Sequence, residues 1–357
     1  MTSISNNSVY MVYSKIPENL NPTTKKIGTH SGSFHCDESL AIGLLSLLQE
    51  YKDGVVIRTR DEKILAECDI IVDVGAVYDP ARHRYDHHQA SFKDTLNLDK
   101  FTKIRLSSAG LIYKHFGRQI LEELIGDRAT EEQKDDIYLR VYGNFIEHID
   151  ANDNGVEISD GELKYKITTA LPHRVGRLNP KWNAPSDENI GFRKAIELTR
   201  SEFLDSVDIY VNEWLPAYTI VEKAFLARES IDPSGEIIVV DQFCPWKEHL
   251  FVLEEKYNVK GLIKYALFKD VKGDWRVQAV PVEEQSFASR IPLHKDWRGI
   301  RDEELSDKSG IPGCVFVHAS GFIGGAKSYE SALKMAQLSL RASTHVEEPE
   351  QKKSKQD

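Results

Sequence analysis

The sequence has no excess of positive charge: 46 Lys and Arg stand against 56 Asp and Glu, for a formal net charge of −10. No global basic field attracts nucleic acid. A polyanionic ligand would have to be held by local Lys and Arg or by bound metal, whose charge can dominate a site. Cysteine is scarce and dispersed. Cys36, Cys68, Cys244 and Cys314 form no Cys-x-x-Cys pair, which argues against a disulfide framework or a cysteine zinc site and for a reducing, intracellular compartment. The longest apolar run, around Leu40 to Leu48, is too short to span a bilayer, so no membrane partner is expected. Residues 1–24 lack arginine and carry Glu18, a poor composition for a transit peptide.

What is present is ordinary for a globular protein: 41% hydrophobic and 29% charged residues over 357 positions, enough for two domains. Residues 1–24 read as a flexible segment. Lys25 to His30 predicts a strand, Asp37 to Tyr51 a helix, Val55 to Arg60 a second strand, Glu62 to Cys68 a helix, and Asp69 to Val74 a third, almost wholly apolar strand. That alternation predicts an α/β fold with a doubly wound parallel sheet, whose ligands bind beyond the carboxyl ends of the strands. Helices are expected from Ser107 to Gly126 and from Thr130 to Asp150, an ordered loop over 173–185, and a long helical stretch over 187–228 interrupted near Pro216. The turn IDPSGE at 231–236 suggests a boundary, giving a domain over 25–230 and a smaller α/β domain over 231–342, with a disordered tail from 343 to 357. In the second domain Gly261–Lys269 and Trp275–Val282 predict a hairpin, and CVFVH–SGFIGG predicts a strand and a glycine loop opening a helix.

Histidine and acidic side chains gather at the predicted strand ends. His30, His35 and Asp37 lie in the first loop, Asp73 closes the third strand, Asp86, His87 and His88 lie in the next loop, and Asp150 ends a helix. Such a set suits two divalent cations sharing a carboxylate. Manganese or magnesium is expected, with zinc or cobalt as further candidates. Two such ions activate water for in-line displacement at phosphorus.

His-x4-His-x-Asp, an Asp closing an apolar strand, Asp-His-His and an Asp at a helix end together resemble the DHH phosphoesterase superfamily. In that superfamily the first motif commonly reads His, then Asp-x-Asp; here His35 stands at the first of those aspartates. The blocks THSGSFHCDE, IVDVGAVYDP, YDHHQ, RLNPKWN, WRGIRDEEL and SGIPGCVFVHASGFIGGAKS resemble the eukaryotic melanocyte-proliferating-gene family, over residues 29 to about 328. The resemblance implies a metal-dependent 3′-to-5′ RNA exonuclease of nucleus and mitochondria, with single-stranded RNA as its partner. It implies His30, His35, Asp37, Asp73, His87 and Asp150 as metal ligands. It makes Asp86 and His88 ligands or their supports. His88 would act as acid or electrostatic partner, and Asp37 and Asp86 would be indispensable to catalysis.

For substrate, Gly321, Gly324 and Gly325 are expected to present backbone N–H groups to phosphate at a helix start, beside His318, Ser320 and Lys327. Arg290, Arg298 and Arg301 are candidate phosphate clamps. Arg174 and Arg177 flank RLNPKWN and, with Trp182, would make a basic and aromatic surface for a single strand. Packing of Trp182 in the core is the preferred reading of that residue. Two other functions fit the same ligand set: a small-molecule phosphoesterase (pyrophosphatase or nucleotide phosphodiesterase), or a non-catalytic metal-dependent scaffold for RNA or protein.

Overall fold

The computed structural model describes residues 10–284 and 286–344. The chain splits into two compact units between Val211 and Asn212.

The first unit contains β1 (Met11–Tyr13), β2 (Lys26–Thr29), α1 (Cys36–Leu45), β3 (Val55–Arg58), α2 (Glu62–Ala66), β4 (Ile70–Val72), β5 (Tyr78–Asp79) and β6 (Arg84–Tyr85). The helices α3 (Ser108–Ile125), α4 (Glu131–Val141), α5 (Glu147–Asp153), α6 (Leu171–Gly176) and α7 (Glu188–Ile209) follow. The strands form one sheet in the order β1-β3-β2-β4-β6-β5. All neighbours run parallel except the edge pair β5 and β6. Both faces are covered. Val55, Ile57 and Ile71 pack with Leu65 of α2 on one face, while the alternate residues Val56, Ile70 and Val72 are buried on the other. Every residue of α1 is buried. It has no polar face to offer water, and it lies among β4, α3 and α7. The α/β reading with a parallel sheet therefore holds for this unit.

The second unit contains α8 (Leu215–Leu226), α9 (Arg228–Ile231), β7 (Ile237–Val240), α10 (Trp246–Lys256), β8 (Tyr265–Lys269), β9 (Trp275–Ala279), α11 (Asp302–Ser309), β10 (Cys314–Val317), β11 (Ile323–Ala326) and α12 (Tyr329–Thr344). Its sheet has the order β10-β11-β9-β8-β7. Only β7 and β8 are parallel; the predicted β8–β9 hairpin is present. Tyr265, Leu267, Val277, Met335 and Ala336 build its core.

Several expectations need correction. Tyr10 and Val12 are buried, and β1 pairs with β3, so residues 10–24 are not a loose leader; residues 1–9 lie outside the described residues. The tail expected over 343–357 begins inside α12, and residues 345–357 lie outside the described residues. The turn at 232–235 exists but falls inside the second unit, because α8 packs on α10 and β7. The stretch read as loop over 173–185 opens with α6. The helix expected from Thr130 to Asp150 is broken by a π-helical turn, Tyr142–Ile146, and runs on to Asp153. The glycine loop SGFIGG is no helix start: Gly324 and Gly325 lie in β11, between β10 and β9. A Cβ on Gly325 would stand 2.6 Å from the Arg276 guanidinium and 3.0 Å from the Phe316 ring. Those glycines are there for close packing.

Candidate metal centre

The loops following β2, β4 and β6 carry His30, Asp73 and the Asp86–His88 triplet. These three strands are neighbours in the sheet, so residues far apart in sequence meet at its carboxyl edge. The N-terminus of α1 closes the group with His35 as its N-cap and Asp37 and Glu38 in its first turn. The helix dipole favours both carboxylates there. Asp73 has the uncommon left-handed φ of 54°. It takes up that backbone at the strand end, and its carboxylate sits between imidazoles.

Asp73 is the hub. Its Oδ2 lies 3.4 Å from His30 Nε2, and its Oδ1 lies 3.5 Å from His87 Nε2 and 3.4 Å from His88 Nδ1. His30 Nε2 is also 3.1 Å from Glu38 Oε1. His87 Nε2 is 3.1 Å from Asp153 Oδ2 and 3.9 Å from Asp37 Oδ2. Three overlapping groups result: His30, His35, Glu38 and Asp73; Asp73, His87 and His88; and Asp37, His87 and Asp153. Yet His30 Nε2, His87 Nε2, both Asp37 oxygens and Glu38 Oε2 are buried with no hydrogen-bond partner among the described residues. Lone pairs that converge at these distances without aligning as hydrogen bonds fit divalent cations. Ligand atoms about 2.1 Å from one octahedral ion stand roughly 3 Å apart. The mixture of imidazole nitrogen and carboxylate oxygen also suits such ions. The other ring nitrogen of His30 contacts Ser31 O at 3.2 Å, which fixes the ring and leaves Nε2 to the centre.

The protein alone carries an uneasy charge balance here. Burial works to discharge the His30 ring, but Asp73 and Glu38 against it outweigh that and hold it up at about 10. Burial likewise opposes charge on His87, and Asp153 and Asp73 carry it to about 9. Burial pushes Asp37 well above the ordinary carboxylate range, and the charges of Asp73, Asp153 and Glu38 push the same way. Burial would raise Asp73 too, but the rings of His30 and His87 hold it below that range.

Asp86 plays a different part. Its Oδ2 accepts from Ala76 N–H at 2.6 Å, and its Oδ1 accepts from His88 N–H at 3.1 Å and from His88 Nδ1 at 2.7 Å. It orients His88, whose side chain is 61% exposed, and so leaves the second ring nitrogen available. Both residues line a cavity of about 630 Å³ with Asp37, Asp73, Asp153 and Arg60.

Asp150 is not at the centre. Its carboxylate accepts from Ser107 N–H at 2.9 Å, Ser107 Oγ at 2.7 Å and Tyr142 OH at 3.0 Å. A Cβ on Gly110 would lie 2.3 Å from its Oδ1, so α3 has a glycine where this carboxylate seats. Asp150 ties α5 to the start of α3, and burial pushes it up to about 7. Asp153 reaches the ligands instead. Glu38, a polar residue of the first loop that the expected ligand set leaves out, joins the centre with Asp153 and Arg60, which the sequence reading does not single out. An Asp three places after Asp150 on a helix was the available signal for Asp153; nothing in the sequence singled out Arg60.

The expected phosphate contacts fare unevenly. The Arg290 side chain is 8% exposed and holds both oxygens of the buried Glu254, at 2.6 and 2.8 Å, so its guanidinium is taken up by a structural pair. Gly324 and Gly325 lie within β11, paired to β10 and β9, and not at a helix start. Gly321, at φ 75°, turns the β10–β11 hairpin. His318 and Ser320 are exposed there and bonded to each other at 2.9 Å. Lys327 is exposed and paired with Asp274 at 3.3 Å. Arg298 donates to Leu293 O at 2.9 Å, and Arg301 contacts Asp302 at 3.9 Å. In the first unit Arg174 pairs with Glu202 at 2.7 Å, and Arg177 donates to Thr168 O at 3.0 Å. Trp182, preferred as a core residue, is 94% exposed.

The loop of His30 and His35 is held from behind. Arg58 is buried, donates to Gly32 O, and lies 5.6 Å from the Phe34 ring and 4.6 Å from the Phe192 ring. Asn179 clamps the Phe34 backbone, accepting from its N–H at 2.9 Å and donating to its carbonyl at 2.8 Å.

Comparison with known proteins matches residues 26–340 to the MYG1 exonuclease profile, described as an uncharacterised protein family (UPF0160). The MYG1 exonuclease of Bos taurus is 52% identical over 333 residues, covering 92% of this chain and 87% of that protein. That of Homo sapiens is 50% identical over 327 residues, covering 90% and 87%. Among solved structures, RecJ from Thermus thermophilus in complex with Mn2+ overlaps 90% of this chain and 52% of its own at 14% identity, with a TM-score of 0.22, too low to compare atoms. With half its residues shared over nine-tenths of its length, the chain belongs to the MYG1 family.

Proposed function

We propose that the protein is a metal-dependent phosphodiesterase acting as a 3′-to-5′ exonuclease on single-stranded RNA. The observation that carries it is the set of buried, unpartnered imidazole and carboxylate atoms around Asp73 at the carboxyl edge of the parallel sheet. The exonuclease names of its relatives point the same way. His30, His35, Glu38 and Asp73 would hold one divalent ion, manganese by preference, and Asp37, His87 and Asp153 a second. Such ions supply an acidified water and neutralise charge developing on phosphoryl oxygens.

The chain's own groups do the rest. Asp73 lies against the imidazoles of His30, His87 and His88, and Asp37 lies near His87. Arg60, on the cavity wall, supplies a cation for a non-bridging phosphate oxygen. His88, oriented by Asp86 and lining the same cavity, would give a proton to the departing 3′ oxygen. Water adds at phosphorus, the P–O3′ bond breaks, and the products are a 5′-mononucleotide and a strand one residue shorter.

The test is end-labelled RNA incubated with manganese and with excess chelator. Metal-dependent release of mononucleotides from the 3′ end is expected. Absence of any cleavage of RNA, DNA or a small phosphodiester would sink the reading; cleavage from the 5′ end would overturn its polarity alone.

A further inference from the structure

Trp182 does not sit on a loose loop. Ala184 N–H donates to Lys181 O at 3.1 Å, and the two residues form an antiparallel bridge, so Trp182 and Asn183 are the tip of a closed turn. Pro180 and Pro185 bracket it and restrict the backbone on each side. The turn is anchored to the metal loop through Asn179 and Phe34. Phe34 and Gly176 line the metal cavity. From Asn179 to Trp182 the chain can span at most ~11 Å, or about three nucleotides of a strand at ~3.4 Å each.

A second aromatic lies close by in the chain's connections. Tyr165 is 75% exposed, between the exposed Lys164 and Lys166, on the segment joining α5 to α6. The acidic residues of that segment, Glu157, Asp160 and Glu162, all precede this basic stretch. Arg177 ties it to the base of the Trp182 turn by its bond to Thr168 O.

Single exposed apolar side chains are common and carry no message. These two rings differ from that background. Each has exposed lysine beside it in sequence, each is presented on a segment that leads to the cavity, and Arg177 joins the segments. Rings interleaved with cations are how single strands are held, because every base offers a π-face and every linkage a phosphate.

We propose that Trp182 and Tyr165, with Lys164, Lys166, Lys181 and Arg177, form a stacking track for single-stranded nucleic acid leading to the metal centre. The track rests on the phosphodiesterase reading. It is indifferent to base sequence and to the sugar. It refuses a duplex, whose bases are already stacked on one another.

The protein carries its own reporter. Trp214, Trp246 and Trp297 are buried and Trp275 is partly so, which leaves Trp182 the one largely exposed tryptophan. Full-length protein in manganese is titrated with a phosphorothioate oligothymidylate, which resists cutting, while tryptophan fluorescence and the anisotropy of an end label are followed. Quenching of the exposed tryptophan is expected. Trp182→Phe should lose most of the quenching and bind within a few-fold of the parent. Trp182→Ala should bind roughly 5- to 100-fold more weakly, and a duplex of equal length should compete poorly. Equal binding by the parent and Trp182→Ala, or quenching that survives in Trp182→Phe, would overturn the track. Hydrolysis of bis(p-nitrophenyl) phosphate by the parent protein separates the two failures. If that diester or end-labelled RNA is cut while strand binding ignores Trp182, only the track is wrong; if neither is cut, the phosphodiesterase reading itself is.

Discussion

Asp153 Oδ2 stands 3.1 Å from His87 Nε2, a buried nitrogen with no hydrogen-bond partner among the described residues. Three residues earlier on α5, Asp150 is held by Ser107 and Tyr142 instead. The two acids are therefore separable. Asp153→Asn is expected to weaken divalent-ion binding by at least ~10- to 100-fold, with little change in the melting temperature of chelated protein above about pH 10, where the charged His87 pair is already lost. Asp150→Ala strands the donors of Ser107 and Tyr142 and is expected to cost about 2–4 kcal/mol of stability. Calorimetric metal titration and thermal unfolding of both variants decide it; the reverse pattern would exchange their roles.

Protons and metal compete for the same rings. His30 is held at about 10 and His87 at about 9 in the protein without metal, and ligation needs the neutral imidazole. Metal affinity is expected to climb through pH 7 to 9, by up to ~tenfold per pH unit for each ring, and to level off above about 10. The stability sign follows. Both folded values exceed the unfolded value near 6.5. Their contribution is whole below that pH and is lost as pH rises through about 9 and 10. Chelated protein should show this loss in melting temperature and metal-saturated protein should not. A flat chelated profile from pH 6 to 10 would refute the charged pairs.

The Asp86–His88 bond at 2.7 Å assigns the two residues unequal tasks. His88→Ala is expected to lower kcat by ~10²- to 10⁴-fold. Added imidazole should restore part of that, and the restoration should weaken when Asp86→Asn is introduced as well. Rescue that ignores Asp86 would show that the carboxylate only holds the loop at Ala76.

Arg290 offers a control in the second unit. Its pairing with Glu254 is buried, and removing one partner leaves the other charge uncompensated. Arg290→Ala is expected to destabilise by about 3–5 kcal/mol and to leave KM for a small phosphodiester unchanged at temperatures where the variant stays folded. A raised KM without a lowered melting temperature would reinstate Arg290 as a phosphate contact.

The local pattern of residues determined much of this. A strand, a histidine loop and an apolar helix are written into residues 27 to 45, because β-branched runs and helical leucine spacing are local properties. The same holds for the closing of β4 at Asp73 and for the Asp-His-His loop, and with them for the position of the site at strand ends. Tertiary structure decided which acid on α5 is a ligand. The π-helical turn at Tyr142–Ile146 shifts every later residue around the helix axis, and no spacing rule announces it. It also decided that Arg290, Gly324 and Gly325 serve packing, since a partner such as Glu254 or the Phe316 ring comes from another element. Trp182 is the converse case: hydrophobicity pointed inward, and only the closed turn anchored by Asn179 shows that its ring faces solvent. Side-chain chemistry is carried by single residues, but the direction in which each one points is set by neighbours that the linear order does not place.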